Sequence, residues 1–414
     1  MNAEIIAIGT ELLLGYTVNS DTVYLGRVMA GLGIDCYRQV TIGDNPRRLS
    51  EAIRTALSRA DLVITCGGLG PTVDDITLET ISAVTGRPLQ LKPPLLKQIR
   101  DRFRRLKIRM PKANVRQAYV PEGAQVFPNS FGTAPGFLLK LADSRLLAAL
   151  PGPPAELIPM VERHLIPRLR RFTGGSVILS KTLKVTGLTE SEVDAKVRDI
   201  LNLKGRVTVG IYAHPGQVDL RITAKAGRIR SAQHLIQKVE RQIRRHLGYR
   251  IFGTDEETLE EAVGKLLKEK GLTLGVAESC TGGLVQHRIT EVPGSSDYFR
   301  GGLVAYANEF KSATLGVSLK TLKRHGAVSL PVAKGMAAGV RTLTRADLGL
   351  SLTGIAGPTG ATPRKPVGLV YIALSSSKRV QGHRFLFSGS RSTVKLKAAQ
   401  ASLDLVRLHL LRIS

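Results

Sequence analysis

The sequence predicts an α/β protein of several domains whose amino-terminal part is a doubly wound parallel sheet. Two observations support this fold class. The chain has 414 residues, more than one hydrophobic core usually organises. Short apolar runs alternate with helical patterns from the first residues onward, as in sheets covered by helices on both faces. Because ligands of such sheets bind beyond the carboxyl ends of the strands, the loops at those ends are the first place to look for a site.

The amino-terminal elements follow one another in strand–helix order. Residues 5–8 predict a buried strand, and Asn19 or Ser20 can cap a helix that presents Leu25 and Met29 on one face. A second strand at 36–42 leads into a helix begun by Pro46, and a third strand covers 62–65. The loops after these three strands should therefore line one crevice.

Glycines and carboxylates share these three loops. Glycines let a ligand approach the backbone closely, and N–H groups at a helix start favour phosphate, whereas clustered carboxylates repel it unless a divalent cation lies between. We therefore expect a metal-bridged phosphate ester or pyrophosphate, with Mg, Mn or Co as the metal. The plainer alternative is that Asp74 or Asp75 merely caps the next helix. The candidate nucleotide-binding residues are Gly9, Glu11, Asn45, Gly67, Gly68 and Gly70, and the candidate metal ligands are Asp44, Asp74 and Asp75.

Two further regions follow the first domain, which we place at residues 1–172. The segment Thr173-Gly174-Gly175 marks a boundary, and residues 176–250 predict a small α+β module. Residues 255–414 again alternate strands and helices, so a second α/β domain is expected there. In it, the strand at 273–277 runs directly into a polar and glycine-rich loop at 278–283.

A serine, a tyrosine and a lysine form the second candidate site. Ser296 follows a Pro-Gly turn, and Tyr306 and Lys311 come shortly after it. A serine hydroxyl becomes a nucleophile when a base takes its proton, and a lysine whose pKa is lowered by burial can be that base. On spacing alone, the alternatives are a serine turn beside a surface lysine, or a Cys280 nucleophile paired with His287.

The charge of the chain points to an anionic partner. Sixty lysines and arginines against 33 aspartates and glutamates leave a net charge of +27, with the densest basic block between Lys97 and Arg116. This charge fits nucleic acid as well as small phosphates. Aromatic residues make up only 5% and tryptophan is absent, which disfavours the stacking platforms of single-strand binders. Three widely spaced cysteines and the lack of a long apolar run predict reduced thiols, no membrane span and a cytoplasmic location.

Taken together, the loops resemble one family closely, the CinA competence- and damage-inducible proteins. In the first domain the resemblance rests on residues 7–13, 43–45, 67–75, 114–118, 132–136 and 151–154. In the last it rests on residues 277–283, 293–296, 306–311, 326–329, 353–358 and 365–368. It implies a molybdopterin-binding-like first domain, a KH-like central module and a carboxyl-terminal nicotinamide mononucleotide amidohydrolase.

The resemblance also implies activities and partners. The first domain is expected to cleave ADP-ribose with a divalent metal, the amidohydrolase domain to need no cofactor, and the chain to form a homodimer that serves pyridine nucleotide salvage. A nucleic-acid-binding competence or DNA-damage factor without catalysis stays the alternative, although the central module lacks the G-x-x-G loop that clamps nucleic acid in KH domains.

Residue roles in the last domain are carried over from the family motifs. Ser296 is expected to attack the carboxamide, Lys311 to accept its proton and Tyr306 to polarise or relay between them. The expected substrate-binding residues are Thr281, Gly282, Gly283, Gly357, Gly360 and Arg391. The chain departs from the family pattern at Leu330, Ala361 and Ser390, and loss of an acidic residue at 390 is expected to loosen the orientation of Arg391.

Overall fold

A computed structural model describes residues 1–173, 177–203 and 205–412. The chain divides into two compact units, residues 1–179 with 224–235, and residues 180–223 with 236–414. The boundary segment predicted at 173–175 extends beyond the described residues at 174 and 175, as does the expected start of the central module at 176.

Within the first unit, the described residues 1–173 contain eight strands and seven α-helices. The strands are β1 (Asn2–Ile8), β2 (Asp35–Ile42), β3 (Leu62–Cys66), β4 (Leu89–Leu91), β5 (Tyr119–Pro121), β6 (Gln125–Phe127), β7 (Gly136–Lys140) and β8 (Leu146–Leu150). The helices are α1 (Thr10–Leu13), α2 (Ser20–Gly31), α3 (Pro46–Leu57), α4 (Thr77–Thr85), α5 (Pro93–Arg105), α6 (Pro154–Met160) and α7 (Ile166–Leu169). A 3-10 helix covers Lys112–Ala118, and a π-helical turn, Val161–Leu165, joins α6 to α7.

Six of these strands form one sheet in the order β2-β1-β3-β8-β7-β6. The pairs β1–β2, β1–β3 and β3–β8 are parallel, as predicted, whereas β7 is antiparallel to both β8 and β6. The difference from a fully parallel sheet has a simple cause. Only residues 141–145 join β7 to β8, and so short a connection allows a hairpin but no crossover.

The residues of β1 show why helices cover both faces of this sheet. Ile5 packs with Leu25 and Met29 of α2, whereas its neighbour Ile6 packs in a second cluster with helix α3. Successive side chains of a strand point to opposite faces, so a strand that is apolar throughout needs a helix layer on each side. The doubly wound prediction is confirmed.

The central segment forms a small α+β fold. Its elements are β9 (Val177–Thr186), α8 (Glu190–Leu201), β10 (Val207–His214), β11 (Gln217–Ala226), α9 (Ile229–Leu247) and β12 (Ile251–Thr254), with a 3-10 turn at Gly248–Arg250. The sheet order is β10-β11-β9-β12. Thr189 and Glu192 form a capping box that starts α8.

The remaining elements build a second α/β sheet. They are α10 (Leu259–Lys270), β13 (Leu274–Glu278), α11 (Leu284–Thr290), β14 (Phe299–Val304), α12 (Asn308–Ala313), α13 (Leu319–His325), α14 (Leu330–Thr344), β15 (Leu348–Gly354), β16 (Leu369–Ser375), β17 (Val380–Leu386) and α15 (Arg391–Leu410), with a 3-10 turn at Ser295–Asp297. The order is β14-β13-β15-β16-β17. β13 is parallel to β14 and β15, and the β15–β16 and β16–β17 pairs are antiparallel.

Helices again cover the sheet on two faces. Val263 of α10 and Leu403 of α15 pack in one core cluster with Val276 of β13, while Met336 of α14 packs in another. The carboxyl ends of β13 and β14 therefore open onto an edge that these helices frame.

Among the described residues, none of the helices is both long and apolar enough to span a bilayer.

Candidate functional site

The loop that leaves β13 lies at the carboxyl edge of the second sheet. The Ser279 N–H donates to the carbonyl of Leu352 at 3.0 Å, which ties the loop to β15. The Ala305 N–H donates to the carbonyl of Glu278 at 2.7 Å, which ties the end of β14 to the same place. Two strand ends and the polar loop at 278–283 thus meet at one point.

Lys311 lies at this edge and is almost completely buried, with 1% of its surface exposed. Its Nζ donates to the carbonyl oxygens of Ala305 at 2.7 Å and Tyr306 at 2.9 Å. Burial lowers the pKa of Lys311 below its usual value. Two N–H groups of this buried amine donate hydrogen bonds, so the nitrogen can still contact a hydroxyl along a third direction. The lowered pKa favours the neutral amine, which can accept a proton there. This is the property that a lysine base requires.

The structure does not bring Ser296 to Lys311, and the predicted pair is wrong as a site within one chain. Ser296 lies before β14 in the 3-10 turn, whereas Lys311 lies after the strand. The register of β14 against β13 runs from Leu274 at one edge to Glu278 at the other. Its six residues span about 20 Å at about 3.3 Å each, so the two side chains are at opposite edges of the sheet.

Two other predicted groups are also placed differently. The side chain of Tyr306 is 65% exposed, and the contact of this residue with Lys311 is through its backbone carbonyl. Its predicted relay through the phenol hydroxyl has no contact to support it. The alternative pair of Cys280 and His287 is likewise not formed: burial raises the pKa of the Cys280 thiol to about 12, and His287 lies on the exposed side of α11 beside Glu291.

Ser279 is the serine that sequence reasoning missed. It is 8% exposed and stands between Glu278 and Cys280, whose thiol is close enough to Lys311 for their charges to interact. The neighbouring Thr281 is fully buried, and its hydroxyl has no hydrogen-bond partner among the residues that the structure describes. The signal was present in the sequence, since a serine directly after a buried parallel strand lies at the edge where ligands bind.

The carboxylate of Glu278 occupies the start of α11. It accepts hydrogen bonds from the N–H groups of Gly283 and Gln286, both at 2.9 Å. We expected Gly283 to hold a phosphate, but its N–H is already taken by this buried carboxylate, which satisfies the positive end of the helix. Gly282 stays beside the site. A Cβ atom added to this glycine would lie 3.6 Å from Lys395 Nζ.

Arg391 and the glycine loop at 355–368 are brought together as expected. The guanidinium donates to the carbonyl of Gly357 at 2.8 Å. Arg391 begins α15, and Ser390 caps that helix by accepting from the Thr393 N–H. The orientation that we expected to loosen without an acidic residue at 390 is therefore held by Gly357. Gly360 lies in the same loop at the surface.

A cavity of about 490 Å³ in the first unit lies at the carboxyl ends of β1, β3 and β8. Of the predicted residues, it is lined by Glu11, Gly67, Gly68, Gly70 and Asp75. Gly67 and Gly68 have φ values of 104° and 66°, a region that favours glycine, so these positions suit the tight turn at the cavity floor. Gly9 lies between the lining residues Ile8 and Glu11.

Asp21 also lines this cavity and was missed by sequence reasoning. Burial raises its pKa to about 6. The spacing between Asp21 and the predicted loops gave no sign that α2 reaches the crevice.

The carboxylates predicted to bind a metal have local roles instead. Asp44 accepts from the N–H and hydroxyl of Thr10, and Asp75 accepts from the N–H of Thr72, while Asp74 is exposed. The part of the chain that the structure describes contains no cluster of three or more metal-ligating side chains. These residues do not fit a preformed metal cage, and no chemical step is assigned to a metal here. Asn45 caps α3 by accepting from the Arg48 N–H.

The densest basic block is partly used within the first unit. Arg116 donates to the carbonyls of Thr72 and Asp75 and to the carboxylate of Glu79, so it clamps the loop at 67–75. Arg102 donates to the carbonyl of Ser130. Several other basic side chains of the block are exposed, namely Arg100, Arg105, Lys107, Arg109 and Lys112.

Family models match each part of the chain. The model described as "Probable molybdopterin binding domain" matches residues 4–171, "Damage-inducible protein CinA KH domain" matches 180–253 and "CinA C-terminal domain" matches 256–410. The class of protein is thus one that joins a molybdopterin-binding-like domain, a KH domain and a CinA domain.

Relatives with the same full-length organisation give the family. A CinA-like protein of Dictyoglomus thermophilum is 44% identical over 413 residues, covering 100% of both chains. A CinA-like protein of Dictyoglomus turgidum is 45% identical over the same length and coverage. The chain belongs to the CinA family. Among solved structures, the competence/damage inducible protein CihA from Agrobacterium tumefaciens is 36% identical, with a TM-score of 0.36 and coverage of 37% of this chain and 93% of that one.

Proposed function

We propose that the carboxyl-terminal domain hydrolyses the carboxamide of nicotinamide mononucleotide, giving nicotinic acid mononucleotide and ammonia. The observation that carries this proposal is the buried Lys311, held by two carbonyl oxygens at the edge where the Ser279 loop leaves β13. A lysine with a lowered pKa beside a serine is the pair needed for acyl transfer without a metal. The substrate class is taken from the resemblance of residues 277–283, 293–296 and 306–311 to the family motifs.

We assign the nucleophile to Ser279 rather than Ser296. Of the three reactive side chains in the loop, the Cys280 thiol has its pKa raised by burial and is a poor source of thiolate. The Thr281 hydroxyl is secondary and completely buried. Ser279 has a primary hydroxyl with some exposure, so it is the group that a substrate carbon can reach.

The proposed reaction proceeds in two steps. Neutral Lys311 takes the Ser279 proton while the serine oxygen attacks the carboxamide carbon, and the resulting lysine ammonium returns that proton to the departing nitrogen, which leaves as ammonia. Water then attacks the ester carbon as Lys311 takes its proton. The ester bond to Ser279 breaks, the serine oxygen recovers a proton from Lys311, and the acid is released.

Substrate binding is assigned to groups around this pair. Arg391 is fixed by Gly357, and Lys395 lies one turn further along α15, so the start of that helix offers two cations for a phosphate. Thr281 was also expected to bind the substrate, but its hydroxyl is completely buried, so no substrate contact is assigned to it.

The direct test is turnover by the full-length protein. Incubation with nicotinamide mononucleotide should release one equivalent of ammonia for each nicotinic acid mononucleotide formed, in the presence of a metal chelator. Nicotinamide riboside, which has the same carboxamide but lacks the phosphate, is the matched control and should react more slowly. No ammonia release under conditions where the protein is folded would refute the assignment.

A second activity is favoured by the cavity of the first unit. We infer that this cavity binds ADP-ribose and supports its cleavage at the pyrophosphate. The glycine turn at Gly67 and Gly68 lets phosphates approach the backbone, and the half-buried Asp21 is a candidate to exchange a proton near neutral pH. Because the carboxylates form no metal cage of their own, a divalent metal is expected to arrive with the substrate.

The test for this second activity uses ADP-ribose with Mg, Mn or Co and measures formation of AMP and ribose 5-phosphate. Asp21→Asn should reduce the rate while leaving ammonia release from nicotinamide mononucleotide unchanged. An inert wild-type protein with all three metals would overturn the inference without affecting the amidase proposal.

A further inference from the structure

A second cavity, of about 630 Å³, lies in the second unit between the central module and the carboxyl-terminal domain. Its walls are the segment 186–192, the β10–β11 turn, the end of β17 and the middle of α15. This volume is within the range of small-molecule sites. Of the described residues that line this cavity, none is among those assigned to the proposed amidase site, namely Ser279, Lys311, Arg391 and Lys395.

One wall of the cavity is a row of aromatic rings. His383 and Phe385 alternate along β17, and Phe387 follows directly after it, so the three side chains lie on one side of the chain. The rings of Phe385 and Phe387 are stacked, with centroids 5.4 Å apart and planes inclined by 9°. Such a wall suits a flat ring, and stacking on aromatic side chains is a common way to bind nucleobases.

A carboxylate that uses only one of its oxygens in hydrogen bonds faces the same cavity. Asp404 is 6% exposed, and its Oδ1 contacts Arg407 at 2.7 and 2.8 Å. The other oxygen, Oδ2, is 3.4 Å from the position of a Cβ on Gly187, a residue of the opposite wall. Only Oδ1 of Asp404 accepts hydrogen bonds from the described residues, so Oδ2 can accept one from an N–H donor on a ligand.

Cations lie at the rim. Lys397 Nζ donates to the carbonyl of Ser388 at 3.0 Å, and Arg250 donates to the carbonyl of Gly187 at 2.9 Å, which leaves both with further N–H groups for an anion. Both line the cavity, as does His214. A ring wall, an acceptor for an amino group and cations at the rim are the three elements of a mononucleotide site.

We propose that this cavity binds an adenine nucleotide, with the base on Phe385 and Phe387, its exocyclic amino group on Asp404 and its phosphate at Lys397 and Arg250. Adenine fits because it presents an exocyclic amine, and Oδ2 of Asp404 can accept one such donor. Bound there, the nucleotide touches both the central module and the carboxyl-terminal domain, which gives the chain a nucleotide site outside both proposed catalytic sites.

The experiment locates the ligand as well as measuring its affinity. The full-length protein is titrated with AMP, inosine monophosphate and inorganic phosphate by calorimetry, and 8-azido-AMP is photocrosslinked and its attachment mapped by peptide mass spectrometry. We expect labelling of peptides that contain residues 186–192 or 383–388, and AMP to bind more tightly than inosine monophosphate, which lacks the amine.

Variants separate this cavity from the other nucleotide sites. Phe385→Ala and Lys397→Glu should each weaken AMP binding by about tenfold or more, from the loss of stacking or of the phosphate contact. Arg384→Ala, on the other side of β17, is the matched control and should bind like the wild type. Ammonia release by the Lys397→Glu protein reports that it is folded. Labelling confined to peptides of the first unit, or unchanged AMP binding in both variants, would overturn the proposal.

Discussion

Lys311 donates a 2.7 Å hydrogen bond from its side-chain nitrogen to the carbonyl oxygen of Ala305. The N–H of Ala305 in turn donates to the carbonyl of Glu278, the last residue of β13. The buried lysine is thus fixed to the end of β13 through one intervening residue. These bonds hold the lysine nitrogen at the sheet edge where the reaction is proposed to occur.

Removing the Lys311 amine should abolish most of the amidase activity. Lys311→Met keeps the length and apolar stem of the side chain and removes only the base, so we expect the rate of ammonia release to fall by at least about a hundredfold, the low end for loss of a general base. The measurement is steady-state ammonia release by the purified variant. Lys320→Met, a change at an exposed lysine, is the control and should leave the rate unchanged.

The same lysine sets the pH dependence. Because burial lowers its pKa, the neutral form that accepts the serine proton becomes populated at lower pH than for an ordinary lysine. The rate should therefore rise with pH and level off below the usual lysine pKa of about 10.4. A rate that rises only above that value would show that Lys311 keeps an ordinary pKa and contradict its role as base.

The Glu278 carboxylate should be needed to hold the start of α11. It accepts from two backbone N–H groups and from the Gln286 side chain, and Glu278→Gln replaces one accepting oxygen by an amide group that cannot accept. Hydrogen bonds to a charged group contribute about 1.5–3 kcal/mol, so we expect a loss of that order in the free energy of unfolding. Urea denaturation checks this value, with the exposed Glu291→Gln as control, and equal stability of the two variants would show that the helix start is held by other contacts.

Arg391 should determine the preference for the phosphorylated substrate. Arg391→Ala removes a guanidinium that Gly357 orients, and we expect KM for nicotinamide mononucleotide to rise by about tenfold or more from loss of one charge-assisted contact. The value of kcat/KM for nicotinamide riboside should change little, because that substrate has no phosphate. Arg391→Lys keeps the charge and should recover part of the loss. Equal losses on both substrates would assign Arg391 a structural role instead.

The basic block separates the enzyme account from the nucleic-acid alternative. Arg116 clamps the loop at 67–75, whereas Arg100 is exposed on α5. We expect Arg116→Ala to weaken ADP-ribose binding by about tenfold, since a loop held by several bonds loses its shape, and Arg100→Ala to leave it unchanged. If the chain were instead a nucleic-acid-binding factor, its DNA binding would depend steeply on salt and Arg100→Ala would weaken it. Calorimetry with ADP-ribose and DNA titrations at two salt concentrations distinguish them.

The fold was largely predictable because its signals are local. The apolar run of β1 and the helix face with Leu25 and Met29 are patterns within one element, and both are found as expected. The antiparallel β7 was missed because strand direction depends on the short connection at 141–145 rather than on the composition of the strand.

The candidate site was less predictable because it depends on which end of a strand a residue occupies. Ser296 and Lys311 are close in the sequence, but β14 runs between them and separates them by its whole length. Ser279 is distant from Lys311 in sequence, and the pairing of β13 with β14 brings both to the same edge of the sheet. Likewise, the Gly283 N–H looked free for phosphate until its bond to Glu278 was seen.

Ser279, and not Ser296, is the proposed nucleophile that works with Lys311. The most direct measurement compares ammonia release from nicotinamide mononucleotide by Ser279→Ala and Ser296→Ala proteins of equal thermal stability. We predict that Ser279→Ala is inactive, with no acyl-enzyme trapped by rapid quench and mass spectrometry, while Ser296→Ala keeps the wild-type rate. Full activity of Ser279→Ala, or loss of activity confined to Ser296→Ala, would contradict the account.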